Sequence, residues 1–589
     1  MSLEERELSA DLLVVGGGLA GVCCAVAAAR CGAKVVLMQE RPVLGGNASS
    51  EIRMWPCGAR GENNRTTGIL EEISLENLYR NPTKNFYLWD MVLLETVRKE
   101  KNITLLLNCT ALDAETDEGA FPYGRERKIK SVTGYQMTTQ TKWKIRAGFY
   151  ADCSGDSVLA PLSGARFYSG REAASDFGEC SSAKEADAYT MGNTVLLQAR
   201  ETAEPVPFRG FDSAKKLKKE DFENREIDLR SDSENFWYLE LGGTKNTIRD
   251  AEEISEEALS LALGTWDHIK NSGEYQAENF ELEFLSFLPG KRESRRMAGE
   301  MLLTANDILS GKTYEDTVSF GGWPLDDHFP EGFYHKGVPN TDFKTPSPYP
   351  IPYRVLYSEN VDNLFFAGRN ISVTHLALSS TRVMSTCASL GQAAGTAAAL
   401  AVKYRLSPHG VYLQKIEELQ DLLLENDSFL PAYRRKVSPF CRGVPDAVFD
   451  GTDRPNSSYG TVECGAVFEN RKAIEYRFDS PLFIQSCHIT FDSDLDRKTL
   501  PGRPVERFYD TKCNVLLSTP QTCMPKTLAK DFCLEALTEN GALTLLSVKE
   551  NRRRFYCVPI EKKLLSLRLT IFSNWGESGE TRVFSFDFR

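Results

Sequence analysis

The chain has 589 residues, 41% of them hydrophobic and 26% charged, which is typical of a globular protein with several domains. Acidic side chains (82) outnumber basic ones (70), and the net charge of −12 argues against a surface that binds nucleic acid. No apolar run approaches the ~20 residues that span a bilayer, and the first residues are acidic where a signal peptide is basic and then apolar. The sequence therefore predicts a cytoplasmic protein without nucleic-acid or membrane partners. The 15 cysteines include no CxxC pair, so we expect reduced thiols.

Residues 11–40 have the pattern of a strand, a turn, a helix and a second strand. The turn contains Gly16, Gly18 and Gly21 in the GxGxxG spacing, and Glu40 follows the second apolar run. In this pattern the first glycine allows a tight turn, the second lets backbone N–H groups approach a pyrophosphate, and the third lets helix and strand pack closely. The acid about 20 residues later accepts the ribose hydroxyls of an adenosine. These residues predict a dinucleotide site with the helix N-terminus at the phosphates.

Helices and strands continue to alternate beyond this unit. A helix is predicted over residues 88–99 and a strand over 103–108. The region 170–350 is mixed and contains aromatic strands as well as helices predicted over 256–269 and 292–308. This mixture of strands and helices differs from the strand, glycine turn and helix pattern of the segments on either side of it.

The last part of the chain first returns to the dinucleotide-domain pattern and then changes to strands. A buried strand is predicted at 364–367 and a tightly packed helix of small residues at 382–401. A further helix leads to Pro431, and from about Cys441 onward apolar and polar residues alternate. The alternating apolar residues are Ile474, Tyr476 and Phe478; Leu565, Leu567, Leu569 and Ile571; and Phe584, Phe586 and Phe588. This part predicts an antiparallel β-sandwich.

Segments distant from the glycine turn indicate FAD rather than NAD, because an NAD site is nearly complete within one Rossmann unit whereas an extended FAD takes contacts from distant segments. Two of them follow apolar strands and end in glycine. Another begins a small-residue helix whose N-terminus would stabilise negative charge on a reduced flavin. Besides the glycine turn and Glu40, the residues expected to contact FAD are Arg41, Gly45, Gly46, Asn47, Asp152, Gly155, Gly368, Arg369, Ser380, Thr381 and Arg382.

The chain resembles the FAD-dependent oxidoreductase family related to the flavin domain of heterodisulfide reductase. The resemblance lies in the motifs GGGLAG, ERPVLGGN, ADCSGD, AGRNISVTH and STRVMSTCASLGQAAGTAAA and covers about residues 8–405. It places the chain among glutathione-reductase-like flavoproteins, in the subgroup that includes the fumarate reductase flavoprotein. It implies an α/β fold, with a Rossmann-like FAD-binding domain and an inserted α+β cap domain. The chain lacks a ferredoxin-type cysteine run, so no iron–sulfur relay is expected.

Five segments follow from these patterns. The FAD-binding domain is predicted at 1–165 and 351–405, the cap at 166–350, a helical connector at 406–440 and the β-sandwich at 441–589. The sandwich looks like a galactose-binding jelly roll. Two roles remain open for this domain: it braces the neighbouring domain, or it binds sugar.

Hydride transfer at a flavin needs positioning, one acid or base, and cations for a carboxylate or a developing oxyanion. His375 lies between two cofactor motifs, and a catalytic and a structural role are both open for it. Arg292 and Arg295 belong to a cationic run after a Pro-Gly turn, which is either a solvated helix face or a clamp on flavin or substrate. Since related sequences carry a similar segment, the resemblance favours the clamp. His328 and Arg53 are further candidates.

The sequence thus predicts a cytoplasmic FAD-dependent oxidoreductase. The hydride would move between flavin and a small hydroxylated or carboxylated substrate, for which a carbohydrate derivative is one candidate. The alternative is a flavin-bearing binding or scaffold protein with a vestigial redox site and a ligand-binding sandwich. No metal is expected, and a homo-oligomer is compatible with the sequence.

Overall fold

The computed structural model describes residues 4–180, 183–231, 235–456, 464–501 and 508–589. They divide into two units with separate cores. The first unit consists of residues 1–59, 84–416 and 509–519, and the second of residues 60–83, 417–508 and 520–589. No helix in the described part of the chain is long and apolar enough to cross a membrane.

Helices and strands alternate through the first unit, and strands dominate the second. The helices are α1 (Leu19–Arg30), α2 (Ile69–Arg80), α3 (Phe86–Lys99), α4 (Leu159–Ser163), α5 (Ala174–Phe177), α6 (Ala251–Asn271), α7 (Ala305–Ser310), α8 (His375–Thr381), α9 (Met384–Tyr404) and α10 (Pro408–Leu424). The strands are β1 (Glu4–Val15), β2 (Val35–Met38), β3 (Ile103–Leu106), β4 (Cys109–Phe121), β5 (Arg125–Gln136), β6 (Thr141–Asp152), β7 (Phe167–Tyr168), β8 (Asn193–Thr194), β9 (Leu197–Glu201), β10 (Glu240–Leu241), β11 (Phe280–Leu285), β12 (Gly290–Lys291), β13 (Arg296–Met297), β14 (Thr317–Gly321), β15 (Tyr349–Pro352), β16 (Leu364–Phe366), β17 (Ala466–Glu469), β18 (Ala473–Phe491), β19 (Ala529–Thr538), β20 (Gly541–Val548), β21 (Phe555–Asn574) and β22 (Glu580–Phe588).

A seven-stranded sheet forms the centre of the first unit, in the order β3-β2-β1-β6-β5-β4 with β16 beside β6. β1 pairs in parallel with β2 and β6, and β2 pairs in parallel with β3. β6 changes its partner along its length, because residues 141–145 pair antiparallel with β5 and residues 150–152 pair in parallel with β16. The carboxyl ends of β1, β2, β6 and β16 therefore meet at one edge of the sheet. The predicted α/β, Rossmann-like architecture is confirmed.

Helices α1 and α9 pack closely because both consist largely of small residues. Added Cβ atoms would lie 2.0 Å from the Ala20 oxygen at Gly391 and 2.1 Å from the Cys24 oxygen at Gly395, so only glycine fits at either position. In α1, 11 of 12 residues are buried, and in α9, 15 of 21 are buried. The small-residue segment thus forms the tightly packed helix that its composition indicates.

The long helix predicted to begin at Arg382 begins two residues later, after a separate short helix. α8 ends at Thr381, Val383 is extended (φ −65°, ψ 141°), and α9 begins only at Met384. The extended residue lets the Val383 side chain pack with Trp55 and Trp323 in a small apolar cluster. The predicted residues Ser380 and Thr381 therefore lie at the end of α8 and not at the N-terminus of the long helix.

The inserted region has helices and short strands around its own core. α6 contains the helix predicted over 256–269, and its Trp266 and Ile269 are buried in that core. The helix predicted over 292–308 is wrong: β12 and β13 occupy residues 290–297 with an irregular link, and only α7 is helical. The side chains explain the difference, because Arg292 and Arg296 are buried against different partners, whereas a surface helix would expose one charged face.

The second unit is built on an antiparallel sheet in the order β17-β22-β18-β21-β19-β20. Tyr476, Phe586 and Phe588 are buried in its core together with Leu75 and Leu78 of α2. Within the described residues these strands form one sheet, so their antiparallel character is confirmed and the two-sheet sandwich stays a prediction. No sequence pattern had indicated that α2 belongs to this unit or that residues 509–519 belong to the first.

Replacement of Phe586 should destabilise the second unit strongly. Phe586 is fully buried, and its ring packs 5.2 Å from the ring of Tyr476. Phe586→Ala should therefore lower the free energy of unfolding by about 3–5 kcal/mol, the usual cost of truncating a buried aromatic side chain. Chemical denaturation followed by tryptophan fluorescence measures the change. Phe483→Ala is the matched control, because Phe483 is 57% exposed on the same sheet, and an equal loss in both variants would contradict this prediction.

Candidate active site

The glycine turn between β1 and α1 is held in shape by contacts that exclude side chains. Gly16 has a φ of +103°, and a Cβ there would lie 2.4 Å from the Cys153 oxygen. A Cβ at Gly21 would lie 1.8 Å from the Gly16 oxygen. Gly16 and Gly21 are therefore required by the fold itself.

Gly18 differs from its neighbours because it borders open space. A Cβ there would meet only the Gly46 Cα, at 3.9 Å, so the fold alone does not require glycine. A second glycine turn faces it, since the Gly45 nitrogen donates to the Gly17 oxygen at 2.8 Å and Gly46 has a φ of +60°. Two backbone turns thus border a space in which a ligand can approach their N–H groups.

The residue that contacts the glycine turn at the end of β2 is Gln39. Its Oε1 accepts from the Gly17 nitrogen at 2.7 Å, and its Nε2 donates to the Val43 oxygen at 3.1 Å. The Glu40 side chain is 60% exposed, and its closest cation is Arg41, whose Nε lies 4.0 Å away. β2 ends at Met38, where the apolar run of the sequence ends, and the buried position that follows it is Gln39 rather than Glu40. The sequence pattern did not point to Gln39 because it is not an acid.

Several buried polar atoms on the segments predicted to bind a dinucleotide make no hydrogen bond with any described residue. They are Arg41 Nε, Arg369 Nε, Asn370 Oδ1, Thr381 Oγ1 and Arg382 Nε. Buried polar atoms in folded proteins almost always have partners, so a polar ligand is the natural partner for such a group.

Asp152 and Asp156, at the end of β6, have different roles. The Asp152 carboxylate is fully buried and accepts from the backbone nitrogens of Ser154 and Leu159 at 3.0 and 2.7 Å, so it shapes the turn. Asp156 pairs with Lys291 and Arg369, each at 2.7 Å. Burial opposes ionisation of Asp156, but the charges of Arg369 and Lys291 outweigh it and lower its pKa to about 2. Arg369 is thereby fixed beside Gly155, where a Cβ would lie 2.6 Å from the guanidinium.

The segment 290–297 connects these turns to the inserted region. On one side the Lys291 oxygen accepts from Asn47 Nδ2 at 3.0 Å, and Ser294 Oγ donates to Asp156 at 2.8 Å. On the other side Arg292 donates to Thr194 Oγ1 at 2.5 Å and to the Trp237 oxygen at 2.9 Å. The segment therefore contacts the predicted cofactor site and the inserted region at once.

Arg292 belongs to a buried group with His328 and Arg382. Its NH1 lies 3.3 Å from Glu240 Oε2, which also lies 2.6 Å from His328 Nδ1. Arg382 donates to Asp326 Oδ2 at 3.1 Å, and His328 Nε2 lies 3.4 Å from the same carboxylate. Burial of Glu240 is outweighed by the charges of Arg292 and His328, which lower its pKa to about 2. The structure thus brings together three of the predicted residues, joined by two carboxylates that no sequence motif singled out.

His375 lies in a second buried group and has both ring nitrogens engaged. Nδ1 lies 2.8 Å from Glu293 Oε2, and Nε2 lies 3.0 Å from Asp327 Oδ1. Glu293 also pairs with Arg296. Burial lowers the pKa of His375, but Glu293 and Asp327 outweigh it and raise the pKa to about 10. His375 is therefore protonated at neutral pH and holds two carboxylates together.

The other predicted residues are dispersed around these groups. Arg295 lies over the Phe167 ring at 5.4 Å and donates to the Asp156 oxygen, so it supports the Asp156 turn and does not join the Arg292 group. Ser380 Oγ donates to the Trp323 oxygen and contacts Tyr349 OH, and is fully buried. Gly368 has a φ of +121°, which a side chain would strain. Arg53 lies over the Phe284 ring at 4.1 Å.

Removal of the His375 imidazole should destabilise the protein in a pH-dependent way. His375→Ala leaves the fully buried Glu293 and the partly buried Asp327 without their shared cation, which should cost about 3–5 kcal/mol at pH 7. Because the folded pKa of about 10 lies above the ordinary value of 6.5, the contribution is complete below pH 6.5 and is lost as pH rises through 10. Urea unfolding of wild type and variant across this range measures the difference. His335→Ala, at a more exposed histidine, is the control; a constant difference across pH would contradict the ion bridge.

The comparisons with known proteins identify the class of protein. The chain belongs to the FAD dependent oxidoreductase family, whose model matches residues 11–423. No curated protein sequence matches it.

Similar solved structures include a mutant of the E. coli quinol fumarate reductase FrdA (13% identity, 72% of this chain and 75% of that chain, TM-score 0.28). A geranylgeranyl bacteriochlorophyll reductase-like protein of Thermoplasma acidophilum is also similar (12% identity, 71% and 84%, TM-score 0.31). The family 32 carbohydrate-binding module of EndoD from Streptococcus pneumoniae has 12% identity and covers 26% of this chain and 90% of the module, with a TM-score of 0.17. Structural similarity at these TM-scores does not support a functional assignment, so membership of the family rests on the family match.

The protein is therefore a flavoprotein oxidoreductase with FAD as its cofactor. The residues present fit FAD, because the open space beside Gly18 and the buried Nε atoms of Arg41 and Arg369, which make no hydrogen bond with any described residue, lie on segments that the sequence predicts to contact this cofactor. The specific relation to heterodisulfide reductase remains a prediction.

The relative importance of Gln39 and Glu40 can be tested directly. Gln39→Leu removes the acceptor that holds the Gly17 nitrogen, so the glycine turn loses its fixed shape, and FAD affinity should fall by about tenfold, equivalent to ~1.4 kcal/mol. Glu40→Gln should change the affinity by less than about threefold, because an exposed carboxylate contributes little. Fluorescence titration of the apoprotein with FAD measures both affinities. The opposite ranking would assign the ribose contact to Glu40, as the sequence pattern predicts.

Proposed function

We propose that the protein transfers a hydride between FAD and a small substrate that carries a carboxylate next to the reacting carbon. FAD supplies the hydride acceptor or donor. The observation that supports this substrate class is the buried group of Arg292, His328 and Arg382. These residues are linked, through the segment 290–297, to the Asn47 and Asp156 contacts of the cofactor site.

The Arg382 guanidinium has hydrogen-bonding capacity that the protein does not use. Its NH2 donates to Asp326, but its Nε makes no hydrogen bond with any described residue, and 12% of the side chain is exposed. A planar guanidinium with free donors is suited to a carboxylate. A substrate carboxylate beside Arg382 would be bound by Arg382 and held in a fixed orientation, which is most of what hydride transfer requires of a protein.

We assign proton transfer to His328 rather than to His375. The two carboxylates beside His375 lie 2.8 and 3.0 Å from its ring nitrogens, whereas the closest carboxylate oxygen to His328 Nε2 lies 3.4 Å away. His328 Nδ1 faces Glu240 at 2.6 Å, which orients the ring and leaves Nε2 as the less constrained nitrogen. Under this assignment His375 is a positioning residue.

A paired substrate panel tests the proposed class. Each 2-hydroxy acid is mixed anaerobically with the FAD-loaded protein, alongside its uncharged amide, and loss of flavin absorbance is recorded. We expect at least one acid to bleach the flavin at a rate that exceeds its amide by about 100-fold, the effect of a fixed cation on a bound anion. Equal rates for acids and amides, or bleaching by neutral polyols alone, would overturn the proposal.

A further inference from the structure

Three polar side chains form a row across the sheet of the second unit. His488 on β18 is directly opposite Cys557 on β21 and Asp587 on β22 in the strand register. β18 lies between the other two strands, so His488 stands between the thiol and the carboxylate. Opposed residues in antiparallel strands have Cβ atoms ~4.5–5.5 Å apart and share one face of the sheet. The row is therefore set by the strand pairing itself.

Asp587 is fixed at the buried end of this row. Arg435 donates to both of its carboxylate oxygens at 2.5 Å and also pairs with Asp453 at 3.1 Å. Arg435 and Asp587 side chains are completely buried. Asp587 Oδ1 lies 3.5 Å from His488 Nδ1, which favours a positive charge on the imidazole.

The other two members of the row differ in exposure. The His488 side chain is only 1% exposed, and neither of its ring nitrogens makes a hydrogen bond with a described residue. Cys557, in contrast, is exposed. A buried imidazole with unused hydrogen-bonding capacity thus lies beside an accessible thiol, and cysteines of high reactivity occur in such an environment.

We propose that Cys557 is a reactive thiol that small disulfides modify, with His488 as the group that takes its proton. The Cys557 thiol transfers its proton to His488, and the thiolate attacks one sulfur of the disulfide. A new S–S bond forms at Cys557 while the original S–S bond breaks, and the released thiolate takes up the proton. The Cys557 sulfur is oxidised and the leaving sulfur is reduced, so electrons balance without a further reactant.

The electrostatics of the row agree with this chemistry. Burial raises the pKa of the Cys557 thiol, but the polar interaction with His488 and its charge outweigh burial, so the pKa lies below its ordinary value. At Cys523, partial burial outweighs the charge of Lys526, so the pKa of this thiol lies above its ordinary value. The other groups that act on the pair are Asp587, Arg435 and Ser486.

The test uses the full-length protein with glutathione disulfide and with limiting iodoacetamide. Modification of Cys557 and Cys523 is followed in the same sample by peptide mass spectrometry between pH 5 and 9. We expect Cys557 to react about tenfold faster than Cys523 at pH 7 and its rate to rise at a lower pH, as for thiols activated by a neighbouring imidazole. Equal rates and superimposable pH profiles for the two thiols would overturn the proposal, and this comparison needs no variant.

A variant separates activation by His488 from simple accessibility. His488→Gln should keep Cys557 exposed, slow its modification to the rate of Cys523 and shift its pH profile upward. Circular dichroism establishes that the variant is folded, and Cys557→Ser identifies the modified peptide. An unchanged Cys557 profile in folded His488→Gln would show that the imidazole does not activate the thiol.

Discussion

The Arg382→Met variant is expected to retain FAD and to lose substrate-driven flavin reduction by about 10²–10³-fold, the usual effect of removing one fixed donor from a site where charge develops. Methionine keeps most of the volume of the arginine stem, so packing should change little. Under the proposed function, Arg382 Nε, which makes no hydrogen bond with any described residue, donates to the substrate anion while NH2 remains bound to Asp326. Anaerobic stopped-flow spectroscopy measures the reduction rate, and the visible spectrum gives the FAD content.

Arg249→Met is the matched control, because it makes the same substitution at a side chain that is 79% exposed. This variant should be reduced at the wild-type rate. A wild-type rate in Arg382→Met, with FAD retained, would remove Arg382 from the substrate site and with it the main support for a carboxylate substrate.

The Gly18→Val variant should fold but remain colourless. Its Cβ would meet only the Gly46 Cα at 3.9 Å, so the valine side chain fits into the apoprotein. The same side chain would occupy the space that the pyrophosphate of FAD needs beside the turn. Loss of two backbone hydrogen bonds to charged phosphate oxygens, at about 1.5–3 kcal/mol each, should weaken FAD binding by at least about 100-fold. Equilibrium dialysis against FAD measures the affinity, and thermal unfolding of the apoprotein measures the fold.

Valine substitutions at two further glycines serve as controls for this result. Gly119→Val introduces the same side chain on β4, where nothing lies within 4 Å, and should bind FAD normally. Gly21→Val would place its Cβ 1.8 Å from the Gly16 oxygen and should disrupt the fold as well as binding. Full FAD occupancy in folded Gly18→Val would contradict the assignment of the pyrophosphate to this turn.

The Rossmann-like part could be predicted because its signals are local. The strand, glycine turn, helix and second strand of residues 11–40 follow one another directly, and Gly16 and Gly21 are explained by contacts with the backbone of Cys153 and Gly16. The same holds for α9, where a composition of small residues is sufficient to indicate close helix packing.

The cationic segment could not be predicted because its partners are distant in the chain. A run of charges usually indicates a solvated helix face. Here Arg292 binds Glu240 and Arg296 binds Glu172. These carboxylates lie 52 and 124 positions away in the sequence, and no local pattern shows that they will be buried together.

Some residues that shape the candidate site belong to no recognised sequence motif. Gln39 takes the inward-facing position at the end of β2 although the neighbouring Glu40 fits the expected spacing. Glu240 and Asp326 carry no motif, yet they hold Arg292, His328 and Arg382 in one group. Single-residue shifts at strand ends and buried charge partners are determined by tertiary packing.

The most direct test of the proposed function is one anaerobic experiment on the full-length protein, in which bound FAD is first quantified and then exposed to a substrate and to its oxidised product in turn. We expect about one FAD per chain, loss of flavin absorbance with the hydroxy acid, and recovery of absorbance when the corresponding keto acid is added to the reduced protein. A protein that binds FAD but whose flavin is neither reduced nor reoxidised by any member of the acid panel would contradict this function. That outcome would instead support a vestigial redox site.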